Sequence, residues 1–164
     1  MAARLTFVIL AVIVFVVDRV TKLLVEERMY LGERIQVVGD VFELRRVHNP
    51  GIAFGLFSDA GFLVVFGSLL VGALLFFFML RVEPDDWFSI LGGACITGGA
   101  LGNLVDRIQH GYVVDFLHLP RWPTFNVADI GIVVGVALVI VSQLLVMRRE
   151  SRETAAAEEP PVED

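Results

Sequence analysis

The chain has 164 residues, 56% of them hydrophobic and 20% charged, with a mean hydropathy of +0.74. An average soluble domain is about 45–50% apolar and about 25% charged, so a disordered or collagen-like chain is excluded and a membrane setting is expected. The net charge of −6 is local: residues 150–164 hold six acids against Arg152 alone, and the rest of the chain is nearly balanced.

In chain order, Leu5–Val25 is the first apolar stretch, uncharged to Val17 and then carrying Asp18, Arg19 and Lys22. A cleaved signal peptide is disfavoured, because its basic region would be Arg4 alone and no small-x-small cleavage site precedes the charges. Within 26–60, Ile35–Val38 and Val41–Leu44 flank Gly39-Asp40, the pattern of an antiparallel hairpin. Asn49-Pro50-Gly51 reads as a turn. Gly61–Leu80, Trp87–Val105 and Ile130–Met147 are uncharged throughout. About 20 such residues cross the ~30 Å of a bilayer core as a helix.

The expected fold is an all-α membrane protein with four transmembrane helices, at about 5–25, 61–80, 87–107 and 126–147. A small β element is expected between the first two. These form one domain over 1–149, and 150–164 reads as an unstructured acidic tail. Four crossings put both termini on one side. Five arginines against six on the two sides leave the orientation open.

A charged side chain at mid-bilayer costs at least ~2.5–3.5 kcal/mol, so one that persists has a partner or a task. Asp18 and Lys22 share a helix face, as do Asn103 and Arg107, with Asp106 between the latter two. Asn126 and Asp129 open the last span, and Asp115 lies in the link before it. Each has a plain reading. Asp18 and Lys22 can neutralise one another, and Arg107 can snorkel at a span's end. Asn126 and Asp129 suit a helix N-terminus. Gly98 and Gly102 suit close helix packing.

Taken together, Asp18, Asn49, Asn103, Arg107, Asp115, Asn126 and Asp129 fall on one side of the membrane, where converging spans would gather them. Two carboxylates sharing a proton can act as base and acid on water and a carbonyl. Other chemistries lack their patterns. No His-Glu-x-x-His run, Gly-x-Ser-x-Gly elbow, P-loop or dinucleotide fingerprint occurs, and Lys22 is the chain's one lysine. Cys95 lies mid-span and reads as packing, and no basic block suggests nucleic acid. An ion- or proton-coupled carrier and a scaffold subunit remain as alternatives to an enzyme.

Four segments resemble the lipoprotein signal peptidases (signal peptidase II). Gly98–Arg107 with Val113–Phe116 looks like the family's third-helix signature, and Phe125–Asp129 like its fourth. Val17–Lys22 and Asn49–Gly55 resemble the two earlier signatures. The resemblance implies an aspartyl endopeptidase of the bacterial inner membrane, cutting prolipoproteins before their diacylglyceryl-modified cysteine. It implies Asp115 and Asp129 as the catalytic pair, with Asp18, Lys22, Asn49, Asn103, Arg107 and Asn126 supporting the pair and the substrate. It places the termini in the cytoplasm and the active site near the outer face. It implies no metal or organic cofactor, and prolipoproteins and membrane lipids as partners of a monomer. Asp106 is expected to pair locally. Pro120 and Pro123, between the two aspartates, leave little room for the surface helix the family often carries there.

Overall fold

The structure is a computed structural model that describes residues 2–50 and 86–158. The expected span 61–80 and the Gly51–Gly55 part of one motif lie outside the described residues. The described chain is mostly helical, with one small sheet. Its elements are α1 (Ala2–Arg28), β1 (Arg34–Val38), β2 (Phe42–Asn49), α2 (Trp87–His110), β3 (Val113–His118) and α3 (Val127–Glu158).

Two of the helices, α2 and the Val127–Arg152 part of α3, are long and apolar enough to cross a membrane. The 27-residue α1 is equally long but carries Asp18, Arg19 and Lys22 in its second half. No Gly or Pro interrupts it, and most of its exposed side chains are Leu, Ile and Val.

Helix α2 packs against both α1 and α3. Small residues permit the contact. A β-carbon at Gly98 would lie 2.5 Å from the Ala11 carbonyl oxygen, and one at Gly99 would lie 2.4 Å from that of Ala128. The glycines therefore bring backbones together, as the small-residue spacing implied. Asp86 caps α2 by accepting from the Ser89 N–H at 3.0 Å. Gly111, at φ 76°, ends the helix in the left-handed conformation, its N–H bonding the Arg107 carbonyl.

The hairpin forms where the alternation placed it: β1 and β2 pair antiparallel, turning at Gly39 (φ 46°). The sheet is larger than expected, because β3 pairs antiparallel with β2 to give the order β1-β2-β3. The first four residues of β3 are buried. A strand buried on both faces shows no alternation, so Val113–Phe116 carried no periodic signal. Val114 and Phe116 pack with Val25 and Met29, which seats the sheet on the C-terminal end of α1.

Residues 119–126, between β3 and α3, contain no helix. Phe125 instead returns to bridge Leu117, in keeping with the two prolines. Helix α3 runs beyond the expected boundary at 147 to Glu158, into the segment read as unstructured. Its continuation contains Ala155-Ala156-Ala157 and no Gly or Pro before Pro160, a composition that favours helix.

Candidate active site

The site forms where the C-terminal part of α2, the strand β3 and the N-terminus of α3 meet. Asn126 caps α3: its Oδ1 accepts from the Asp129 N–H at 3.0 Å, and the Asp129 Oδ2 accepts from the Asn126 N–H at 3.2 Å. This reciprocal pair is a capping box, which fixes both side chains to the first turn. Asp129 also sits where the helix macrodipole favours negative charge.

Asp115 enters from β3 and is 2% exposed. Its Oδ2 accepts from Asn49 Nδ2 at 2.9 Å, and its Oδ1 accepts from Asn126 Nδ2 at 2.7 Å. Because β2 lies beside β3, the final residue of β2 is positioned to reach it. Asn103, on α2, completes the link. Its Nδ2 donates to Asp129 Oδ1 at 2.9 Å, while its Oδ1 accepts from Asn126 Nδ2 at 3.1 Å. One chain of amides thus joins the two carboxylates. Burial, and then the nearby charge of Asp129, push Asp115 up to about 7.

Beneath this layer lies a buried ionic layer. Lys22 and Asp18 are fully buried and paired at 2.9 Å. Lys22 Nζ also reaches Asp106 Oδ2 at 2.9 Å and donates to Asn103 Oδ1 at 2.9 Å. Asp18 Oδ1 accepts from the Ala128 N–H at 2.9 Å, in the first turn of α3. A β-carbon at Gly102 would fall 2.3 Å from Asp18 Oδ2, so only glycine leaves room for this carboxylate. Arg107 donates to the Asn103 carbonyl at 3.3 Å and lies within the fields of Asp129, Asp115 and Asp106.

All eight residues singled out from the sequence lie in this one region. Asp106 differs from expectation. Rather than pairing locally, it reaches across to Arg19 and Lys22 of α1 and accepts from the Val114 N–H. The available signal was a shared face: Arg19 and Lys22 are three apart on α1, as are Asn103 and Asp106 on α2. Among the described residues, no three metal-ligating side chains converge.

A membrane-type helical fold with two carboxylates joined through an amide frame fits the aspartic-type peptidases. Residues 10–145 match the family model Peptidase_A8, signal peptidase (SPase) II, and the chain belongs to that family. It is 40% identical over 147 residues to the lipoprotein signal peptidase of Moorella thermoacetica, covering 90% of this chain and 98% of that protein. The lipoprotein signal peptidase of Brucella ovis is 40% identical over 155 residues, covering 90% and 93%. A bacterial membrane enzyme solved by the in meso method superposes with a TM-score of 0.81 at 27% identity, over 96% of this chain and 94% of that one. A second such structure gives 0.78 at 28% identity, over 85% and 92%.

Proposed function

We propose that the protein removes signal peptides from diacylglyceryl-modified prolipoproteins, hydrolysing the bond before the lipidated cysteine with Asp115 and Asp129 as the acid–base pair. The family and its relatives support the activity. The single observation that carries the assignment of residues is the amide-linked pair of carboxylates, one of them buried and pushed up to about 7. Two carboxylates that raise one another's titration do not both ionise readily, and the charge of Asp129 raises Asp115.

Asp115 holds the shared proton, and Asp129, at the helix N-terminus, is the carboxylate. Asp129 takes a proton from water as its oxygen bonds to the scissile carbonyl carbon, and Asp115 gives its proton to the carbonyl oxygen. Collapse of the tetrahedral species breaks the C–N bond: the proton gained by Asp129 passes to the leaving amine, and Asp115 takes back a hydroxyl proton as the new carboxyl group forms. Asn49 and Asn126 orient Asp115, and Asn103 orients Asp129. Arg107 supplies positive charge for a substrate carbonyl and the developing oxyanion. Asp18 and Lys22 support this frame from below. The reaction requires only water besides the peptide.

The accompanying topology has four transmembrane helices in the bacterial inner membrane, with both termini cytoplasmic and the pair near the outer face. A monomer is sufficient, since the carboxylates and amides described come from one chain. The lipid chains of the substrate cysteine stay among membrane lipids while the peptide reaches the pair. The test is cleavage of a diacylglyceryl-modified precursor beside an unmodified control. Asp115→Asn and Asp129→Asn are each expected to leave the lipidated precursor uncleaved. Full processing by either variant would refute the pair, and equal cleavage of both precursors by the wild-type chain would refute the lipid requirement.

A further inference from the structure

The frame described above holds the two carboxylates by their oxygens, and pairing with β2 holds one edge of the strand that carries Asp115, but neither explains what holds its other edge. Two residues beyond Val114, and so on the same edge of β3, Phe116 gives its N–H to the Phe125 carbonyl at 3.0 Å. Phe125 does not extend back along that edge as a strand. The Val114 N–H, immediately before Asp115, is taken instead by Asp106 Oδ2 at 3.2 Å. A buried N–H needs such an acceptor.

Asp106 is 1% exposed, and its carboxylate is held from a different element. Lys22 Nζ meets Oδ2 at 2.9 Å, and the Arg19 guanidinium meets Oδ1. The same lysine grips Asp18, whose carboxylate takes the N–H of Ala128, the residue immediately before Asp129. Each aspartate of the pair therefore follows a residue whose amide is bound by a buried carboxylate, and one ammonium group joins the two carboxylates.

We propose that Asp106 is a positioning residue for Asp115, its carboxylate anchored on α1 by Lys22 and Arg19 and fixing the backbone of β3 at Val114. This inference rests on the assignment of Asp115 and Asp129 as the reacting pair. It places Asp106 out of contact with substrate, acting on the reaction through the register between β3 and the N-terminus of α3. A misplacement of this kind lowers the rate of the chemical step more than it weakens substrate binding.

Two substitutions separate geometry from charge. Asp106→Glu keeps the charge but displaces the acceptor by one methylene. Asp106→Asn keeps an acceptor oxygen at the same reach. Combined with Arg19→Gln, it also keeps the four ionic groups of this layer neutral in sum, which avoids stranding a buried charge. Cleavage of a diacylglyceryl-modified precursor is measured per mole of folded enzyme, with Asp115→Asn as the reference.

Asp106→Glu is expected to lose at least tenfold in kcat with KM within threefold of wild type, and to exchange the amides of β3 faster. The Arg19→Gln/Asp106→Asn variant is expected to stay within about fivefold in kcat. Wild-type kcat for Asp106→Glu, or equal losses in the two variants, would overturn the positioning role while an inactive Asp115→Asn leaves the pair standing. An active Asp115→Asn would overturn the assignment of the pair itself.

Discussion

At the scale of single residues, the proposed mechanism turns on how one proton is held between Asp115 and Asp129. Acid–base catalysis by a positioned side chain contributes about 10²–10⁴-fold. Asp115→Asn and Asp129→Asn are therefore each expected to lower kcat at least 10²-fold, measured on a lipidated precursor. In the proposed mechanism the acid is the protonated form of Asp115, which burial and the neighbouring Asp129 push up to about 7. In the wild type, kcat/KM should consequently fall as pH rises through about 7.

The same shift has a stability consequence. A carboxyl raised above its unfolded value of about 3.9 binds more proton in the folded than in the unfolded chain. Stability contributed by this group is present below about pH 4 and declines as pH rises toward about 7. Thermal melts of Asp115→Asn should lack that part of the pH dependence, and melts parallel to wild type between about pH 5 and 8 would contradict it. The residue types were legible in the sequence, since polar groups at membrane depth stand out on energetic grounds. Their hydrogen-bond partners were not, because Asn49 and Asp115 are 66 positions apart and meet only through strand pairing.

At the scale of elements, helix ends and close helix contacts carry the structure. Asp86 accepts from Ser89 N at the start of α2 and from Ser142 Oγ of α3 at 2.6 Å, tying the two helices together. Burial opposes its ionisation, but the hydrogen bonds from Ser142 and Ser89 outweigh it and hold the carboxyl below its usual range. A depressed carboxyl contributes stability above its unfolded value, and that stability is lost as pH falls through the folded one. Asp86→Ala is expected to cost about 1 kcal/mol, the usual size of a lost N-cap, with kcat unchanged. A denaturation curve per mole of folded protein checks the first part and the precursor assay the second.

Gly102→Ala should act differently, because its methyl group would collide with Asp18 Oδ2 and disturb the ionic layer. Overpacking of this kind costs about 1–3 kcal/mol, and here it should also lower kcat. Unaltered melting and turnover would show that the carboxylate has room to move. The apolar runs made α2 and α3 readable, and the alternation around Gly39 made the hairpin readable. Strand β3 was not readable as a strand: six residues buried mostly on both faces lack a period, and the strand's partner lies far away in sequence.

At the scale of the whole molecule, the prediction concerns which side of the membrane each end faces. In a Cys95→Ala background, Asp40→Cys in the hairpin turn should react with a membrane-impermeant maleimide in intact spheroplasts. Arg152→Cys on α3 should react only after the membrane is opened. The reverse pattern would invert the proposed orientation.

The sequence by itself determined the membrane character, the family and the polar residues that gather in one region. Apolar length and the cost of intramembrane charge are local properties of a chain, and the family's motifs are short and contiguous. Only the tertiary structure decided how those residues are joined: the third strand, the amide chain from Asp115 to Asp129, and the reach of Asp106 to α1. These depend on backbones brought together from distant positions, where burial and directional hydrogen bonds select partners that no local pattern specifies.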